Sequence, residues 1–341
     1  MSDERKVSSY ERLYDEHCGH QSPGLWRHPR DSSINYNQLH HWIEIAKVLE
    51  QGLFDAVFLA DVFGVYDVYG GNYHAAARGA VQLPVGDPFV LIPAMAAVTE
   101  HLCFGVTGNI THEPPLAFAR RMTTLDHLTK GRLAWNIVTG YLESAAKGQG
   151  REKLNSHDDR YAIAEDFTEL VYKLWETSWN NKAVRRDKEA GIFIDPSNLK
   201  RIDHDGTFFR LNGIALAEPS PQRTPVIFQA GTSSRGQEFA AKHAECVFVA
   251  GPSAAVIEPW VRKLRARAEA HGREPSDILI YAEVTVIPGV TATEAQAKVA
   301  DYNRFIDLEG SLAMVGGWTG IDFSHLSWDD PFEYEENNSL R

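Results

Sequence analysis

Short, continuously apolar runs alternate along the chain with segments whose apolar residues keep helical spacing. The runs are FDAVFLAD (54–61), LCFGVTGNI (102–110), LAWNIVT (133–139), residues 226–231, ECVFVAG (245–251) and ILIYAEVTVIPG (278–289). Between them stand stripes such as Leu39, Trp42, Ala46 and Leu49, or Phe118, Met122 and Leu125, or Phe167, Leu170, Leu174 and Trp175. A strand that is apolar throughout has both faces covered, so this rhythm predicts a parallel sheet with helices packed against it. Two architectures satisfy it, a doubly wound sheet and a (β/α)8 barrel. Nearly every run ends in a polar or small residue: Asp61, Thr107 and Asn109, Asn136 and Thr139, Gln229, Gly251. A barrel gathers such residues at one mouth, whereas a doubly wound sheet concentrates them at one switch point. No GxGxxG follows a first strand, and the barrel is favoured.

Only six strands are clear. Residues 1–20 show none, 24–33 form a loop, and Leu39 opens a helix that Gly52 stops. Residues 62–85 are aromatic and Gly-rich, and a loop of that length is usually functional. Helices are expected over 90–99, 116–129, 156–176 and 254–271, the last with Val256, Trp260 and Leu264 inward. Thr291 and Glu294 form a capping box for a helix over 292–306. The polar stretch 180–224, with Pro196, Pro219 and Pro221, reads as an insertion. Residues 307–341 read as an irregular acidic tail, and the whole chain as one domain.

The net charge is −12, with no Lys/Arg run, which argues against nucleic acid or an anionic membrane surface as the main partner. No apolar run approaches the length of a membrane span, and the charged N-terminus lacks the core of a secretory signal. Cys18, Cys103 and Cys246 are scattered and odd in number, which fits a reducing, cytoplasmic setting without a disulfide framework or zinc motif.

One turn carries a more specific signal. In VIFQAGTSSRG (226–236) a buried strand breaks into Gly231, Ser233, Ser234, Arg235 and Gly236 before a helix. Such a turn points backbone N–H groups at one spot, where the helix N-terminus adds positive potential. A phosphate site and an ordinary strand-to-helix turn are equally good accounts of it. In SHDDRY (156–161) Ser156 or Asp158 would cap a helix, and His157 and Tyr161, four apart, would share its face. Trp26 and Arg27 could stack on a flat ligand or pack over the rim. The neutral hydrogen-bonding groups at the strand ends suit a polar heterocycle better than a metal. No GxSxG, Cys–His, Walker A or zincin signature is present, and no catalytic base stands out.

The stretches HQSPGLWRHPRD, FDAVFLADVFGVYDVYGG, AAVTEHLCFGVT, FARRMTTLDHLTKGRLAWNIVTGY, HDDRY, EPSPQRTPVIFQAGTSSRG, AECVFVAGP and GGWTGID, in this order, resemble the flavin-dependent monooxygenases of the bacterial luciferase superfamily. The resemblance is to the group that includes the nitrilotriacetate, EDTA and dibenzothiophene-sulfone monooxygenases. It implies a (β/α)8 barrel that takes reduced FMN, as a diffusible substrate, from a separate flavin reductase. With O2 the barrel would oxygenate a small organic molecule, in some relatives with C–N or C–S cleavage, and would associate as a homo-oligomer. The positions matching the family's flavin contacts are Asp61, Thr107, His157, Tyr161 and Ser233. Ser233 would hold the phosphate, His157 and Tyr161 would flank it, and Asp61 and Thr107 would lie nearer the ring. The loop 62–85 and the insertion 180–224 are the expected covers. Family members carry a strand before HQSPGLWR and continue past the end of this chain. Strands 1 and 8 are therefore expected to be missing, and a shortened, non-catalytic binding protein is the alternative reading.

Overall fold

The structure is a computed structural model that describes residues 13–17 and 22–327. In chain order its strands are β1 (Leu13–His17), β2 (Ala56–Ala60), β3 (Cys103–Asn109), β4 (Leu133–Val138), a hairpin of β5 (Val184–Asp187) and β6 (Ile192–Ile194), a hairpin of β7 (Ile202–Asp205) and β8 (Arg210–Gly213), then β9 (Val226–Gln229), β10 (Cys246–Val249) and β11 (Leu279–Ala282). The helices are α1 (Leu39–Gln51), α2 (His74–Gly79), α3 (Ile92–Ala96), α4 (Pro115–Thr129), α5 (Glu143–Gly148), α6 (His157–Tyr172), α7 (Ser234–His243), α8 (Ala254–Ala270), α9 (Ala292–Asn303) and α10 (Leu308–Thr319). Seven strands form one sheet in the order β1-β2-β3-β4-β9-β10-β11, every pairing parallel. The order follows the chain, without the reversal that a doubly wound sheet requires.

The sheet is rolled. Phe58 on β2 and Phe248 on β10 are four strand spacings apart, roughly 19 Å if the sheet were flat. Their ring centroids are 4.6 Å apart. Phe228 on β9 and Tyr281 on β11 join them, at 5.5 Å from each other. On the opposite face Val57, Phe104, Val106, Trp135 and Ile227 pack with Trp42, Phe118, Met122, Phe167 and Phe239 of the helices. Phe118 and Trp135 meet at 4.6 Å between centroids. The sheet therefore has an outer apolar core under the helices and an inner face of aromatic rings.

Several expectations are corrected. A first strand is present: Leu13–His17 pairs with β2 from Leu13↔Ala56 to His17↔Ala60. LYDEH carries no apolar run, but ladder pairing uses backbone groups that these residues all possess. The last run contributes only Leu279–Ala282 to the sheet, and Val284 and Val286 beyond it are 78% and 76% exposed. The helix expected over 90–99 shrinks to Ile92–Ala96. In α8 Leu264 is buried but Val256 is 57% exposed. The tail is not irregular at its start. Asp307 caps α10 by accepting the Gly310 N–H, and Gly316 and Gly317, which look like breakers, lie buried in it. A side chain at Gly317 would fall on the Tyr66 ring. Residues 328–341 and Cys18 lie outside the described residues. Among those described, β11 pairs only with β10, and no helix is long and apolar enough to cross a membrane.

The insertion is also misplaced by the sequence. Its two hairpins do not approach the carboxyl ends of the strands. Gln222 bonds Asp126 near the end of α4, and His127 Nε2 lies 3.1 Å from the Glu218 carbonyl. Asp166, in the second half of α6, accepts the N–H groups of Phe208 and Phe209 and pairs with His204 at 2.6 Å. These contacts lie toward the amino ends of the strands, so the insertion is not a cover for the mouth. The loop 62–85 does lie at the mouth. There Ser144 accepts the Val65 N–H and donates to the Val65 carbonyl.

Candidate functional site

At the carboxyl ends of β3 and β4, Thr107 and Asn136 are register partners, both almost fully buried. The Asn136 Nδ2 donates to Thr107 Oγ1 at 3.1 Å, while the Asn136 Oδ1 has no partner. An amide oxygen buried without a donor costs about 1–3 kcal/mol, so its position calls for a ligand N–H or a water. Asn136 pairs in turn with Phe228, one residue before Gln229.

From Gln229 the chain enters the turn. Gln229 Oε1 accepts the Gly231 N–H at 2.6 Å, and its Nε2 reaches the Tyr161 hydroxyl at 3.4 Å. Ser233 is the N-cap of α7 and accepts the Gly236 N–H at 3.0 Å. The first intrahelical donor is Gln237, to the Ser233 carbonyl, so the amides of Ser234 and Arg235 precede the helical ladder. Gly231 and Gly236 face each other across the turn. A Cβ on either would lie 2.6 Å from the Tyr161 hydroxyl, and within 2.9 Å of the other glycine's Cα.

Tyr161 arrives from α6. Ser156 caps that helix by accepting the Asp159 N–H, which settles the choice between Ser156 and Asp158. His157 and Tyr161 are both buried, their ring centroids 5.1 Å apart. His157 Nδ1 lies 2.9 Å from Asp158 Oδ1. Burial raises the Tyr161 phenol above its ordinary value, against hydrogen bonds from Gln229 and Ser233 and the charges of Arg160 and Arg235. The phenol is therefore a neutral donor at pH 7. Of the predicted residues, Tyr161 and Ser233 meet at one turn, His157 packs against Tyr161, and Thr107 lies two strands away, roughly 10 Å at the usual spacing.

Asp61 follows β2 at the same end of the sheet. Its carboxyl is pushed up to about 6 by burial and then by the charge of Asp87, against a hydrogen bond from the Val62 N–H. The folded state thus holds this proton more tightly than the unfolded chain. The associated stability is complete below the ordinary value near 3.8 and is lost as pH rises to about 6. The displacement is worth on the order of 3 kcal/mol. Asp61→Asn should match the parent below pH 4 and become the more stable protein through pH 4–6, with a plateau above. Urea midpoints across that range check it, and a constant offset at all pH values would refute the assignment.

A hydroxyl hub closes the loop 62–85 over this end. The Tyr66 hydroxyl donates to Gln82 Oε1 at 2.8 Å, accepts from Trp318 Nε1 at 3.1 Å and meets the Tyr141 hydroxyl at 2.6 Å. Since the single Tyr66 proton goes to Gln82, Tyr141 is the donor in the pair, and its oxygen is left as an acceptor only. Burial raises both phenols. Tyr66, Tyr141 and Trp318 fall in stretches that carry the family resemblance, but no local pattern showed that they meet, since the members span 252 residues of chain. Arg27, which the sequence offered for stacking on a flat ligand, shows the opposite outcome. His28 is buried against Asp301 and the rings of Tyr302 and Phe305, and Arg27 donates to the Phe305 carbonyl. Arg27 and His28 anchor the rim.

Fold and geometry together define a rolled parallel α/β protein whose candidate site lies at the carboxyl ends of its strands. The model of the luciferase-like monooxygenases matches residues 21–331, and the chain belongs to that family. Among the relatives, the dimethyl-sulfide monooxygenase of Hyphomicrobium sulfonivorans is 50% identical over 329 residues, 96% of this chain and 68% of its own. The long-chain alkane monooxygenase of Geobacillus thermodenitrificans is 51% identical over 93% of this chain and 72% of its own. The crystal structure of long-chain alkane monooxygenase LadA superposes with a TM-score of 0.94 at 50% identity, covering 96% of this chain and 76% of LadA. That of the riboflavin lyase RcaE, solved with modified FMN and riboflavin, gives 0.88 at 38%, covering 94% and 72%.

Proposed function

We propose that this protein is the oxygenase component of a two-component, FMN-dependent monooxygenase. In this reading it works in the cytoplasm, on a small organic molecule, as a homo-oligomer with a completed (β/α)8 barrel. A separate reductase supplies the reduced flavin. The observation that carries the reading is the meeting of Tyr161, Ser233, Gly231 and Gly236 at the start of α7. There a neutral phenol packs so closely on the two glycines that neither position has room for a Cβ, beside two amides that lie outside the helical ladder.

The residues present fit FMN. Ser233, Tyr161, His157 and the amides of Ser234 and Arg235 would hold the phosphate. Thr107 and the unpartnered Asn136 Oδ1 would meet the polar edge of the ring, with Asp61 beside it. When bound, reduced FMN supplies the two electrons with which one atom of O2 enters the substrate and the other leaves as water. The chain's own part is binding, orientation and exclusion of water, and the Tyr66–Tyr141–Gln82–Trp318 hub serves the last of these by fixing the loop 62–85. Relatives at about this level of identity act on dimethyl sulfide and on long-chain alkanes by name, which differ too much to choose a substrate for this chain.

Titration with anaerobically reduced FMN should show saturable binding, weakened about tenfold by Ser233→Ala or Tyr161→Phe, the loss of one charge-assisted hydrogen bond. With a flavin reductase and NADH, a substrate screen read by product mass should find incorporation of one ¹⁸O atom from ¹⁸O2. Absence of saturable binding would reject the proposal.

A further inference from the structure

We infer that Arg267 of α8 is a positioning residue for the phosphate end of the site, acting through Ser234. The inference rests on the reading of the α7 turn as a phosphate site. Ser234 opens α7, directly after the cap, and its backbone and side chain are both gripped by one guanidinium from a different helix. Arg267 Nη2 donates to Ser234 Oγ at 2.9 Å, and Nη1 donates to the Ser234 carbonyl. The competing carboxylate is Glu238, 4.0 Å from Arg267 Nε, and it is engaged by His271 at 2.6 Å.

Two consequences follow from the chemistry. A hydroxyl oxygen that accepts from a guanidinium keeps its own proton for another acceptor, so Arg267 fixes Ser234 as a donor. The Arg267 side chain is partly buried, 20% exposed, and it brings a full positive charge to the first turn of α7, where the helix already favours anions. Both effects act on a phosphate and neither acts on a flavin ring. A plain helix-to-helix tie has neither consequence. Arg273 provides that comparison, because it donates to the Ala241 carbonyl at 3.0 Å at the other end of α7.

The test compares anaerobically reduced FMN with reduced riboflavin, which lacks the phosphate, on the full chain and on Arg267→Met and Arg273→Met. Arg267→Met should raise the Kd for FMN about tenfold and that for riboflavin by less than about twofold. Arg273→Met should leave the ratio of the two unchanged. Ser234→Ala should reproduce the FMN-selective loss, and adding Arg267→Met to it should change little more, because the two act as one unit. If Arg267→Met fails to fold, Ser234→Ala and Arg267→Lys carry the same comparison. Equal weakening of both ligands, or of neither, would overturn the role of Arg267 and leave the phosphate reading standing. A parent protein that binds FMN and riboflavin equally would remove the phosphate reading itself, and the inference with it.

Discussion

Gly236→Ala is expected to weaken binding of reduced FMN by about a hundredfold, the loss of two hydrogen bonds to a charged phosphate at about 1.5 kcal/mol each. Inside α7 the substitution by itself favours folding, since alanine exceeds glycine in helix propensity by up to about 1 kcal/mol. Sterics act the other way. The new methyl would lie 2.6 Å from the Tyr161 hydroxyl and 2.9 Å from the Gly231 Cα. The tyrosine is held by Gln229 and packed near Phe239, and Gly231 is part of the turn's own backbone, so neither retreats cheaply. The turn must open, and the amides of Ser234 and Arg235 move with it. Anaerobic titration measures the loss, while circular dichroism and Tm show that the fold survives. Binding at the parent's affinity by a folded Gly236→Ala protein would mean that the phosphate sits elsewhere.

The second large effect concerns stability, at the opposite end of the strands. Arg132 stands just before β4 and gives all its donor directions to the chain around it. Nε reaches the Thr129 carbonyl at 2.9 Å, Nη1 reaches Thr99 Oγ1 at 3.0 Å and the Leu102 carbonyl at 2.8 Å, and Nη2 reaches the carbonyls of Ala96 and Thr99 at 3.2 and 3.1 Å. One side chain thus satisfies the exit of α3, the entry to β3 and the end of α4. Arg132→Met keeps the aliphatic stem but strands those acceptors, and should lower unfolding free energy by about 3–4 kcal/mol. Lysine should recover little of this, because a point charge cannot serve a forked set of carbonyls. Urea denaturation gives the number. FMN affinity of the folded protein should not change, since Arg132 lies at the amino ends of the strands. A loss below about 1 kcal/mol would show that water replaces the guanidinium at these carbonyls.

The sequence by itself determined what depends on near neighbours in the chain. Apolar runs alternating with helical stripes require a parallel sheet under helices. The small residues from Gly231 to Gly236 make a strand-to-helix turn, and the spacing of His157 and Tyr161 puts them on one helix face, because each of these follows from local geometry. The rest was decided by contacts between distant segments. LYDEH became β1 because a neighbouring strand offered it a ladder, which backbone groups form whatever the side chains. Gly310 and Gly317 lie buried in α10 because Pro23 and Tyr66 pack against them. The Tyr161 hydroxyl packs on Gly231 and Gly236 from seventy and more residues away, which no local pattern shows. The insertion was assigned to the wrong end because polarity and proline mark a segment as surface without saying which surface. Periodicity records which side of an element is buried, and only the tertiary structure says against what.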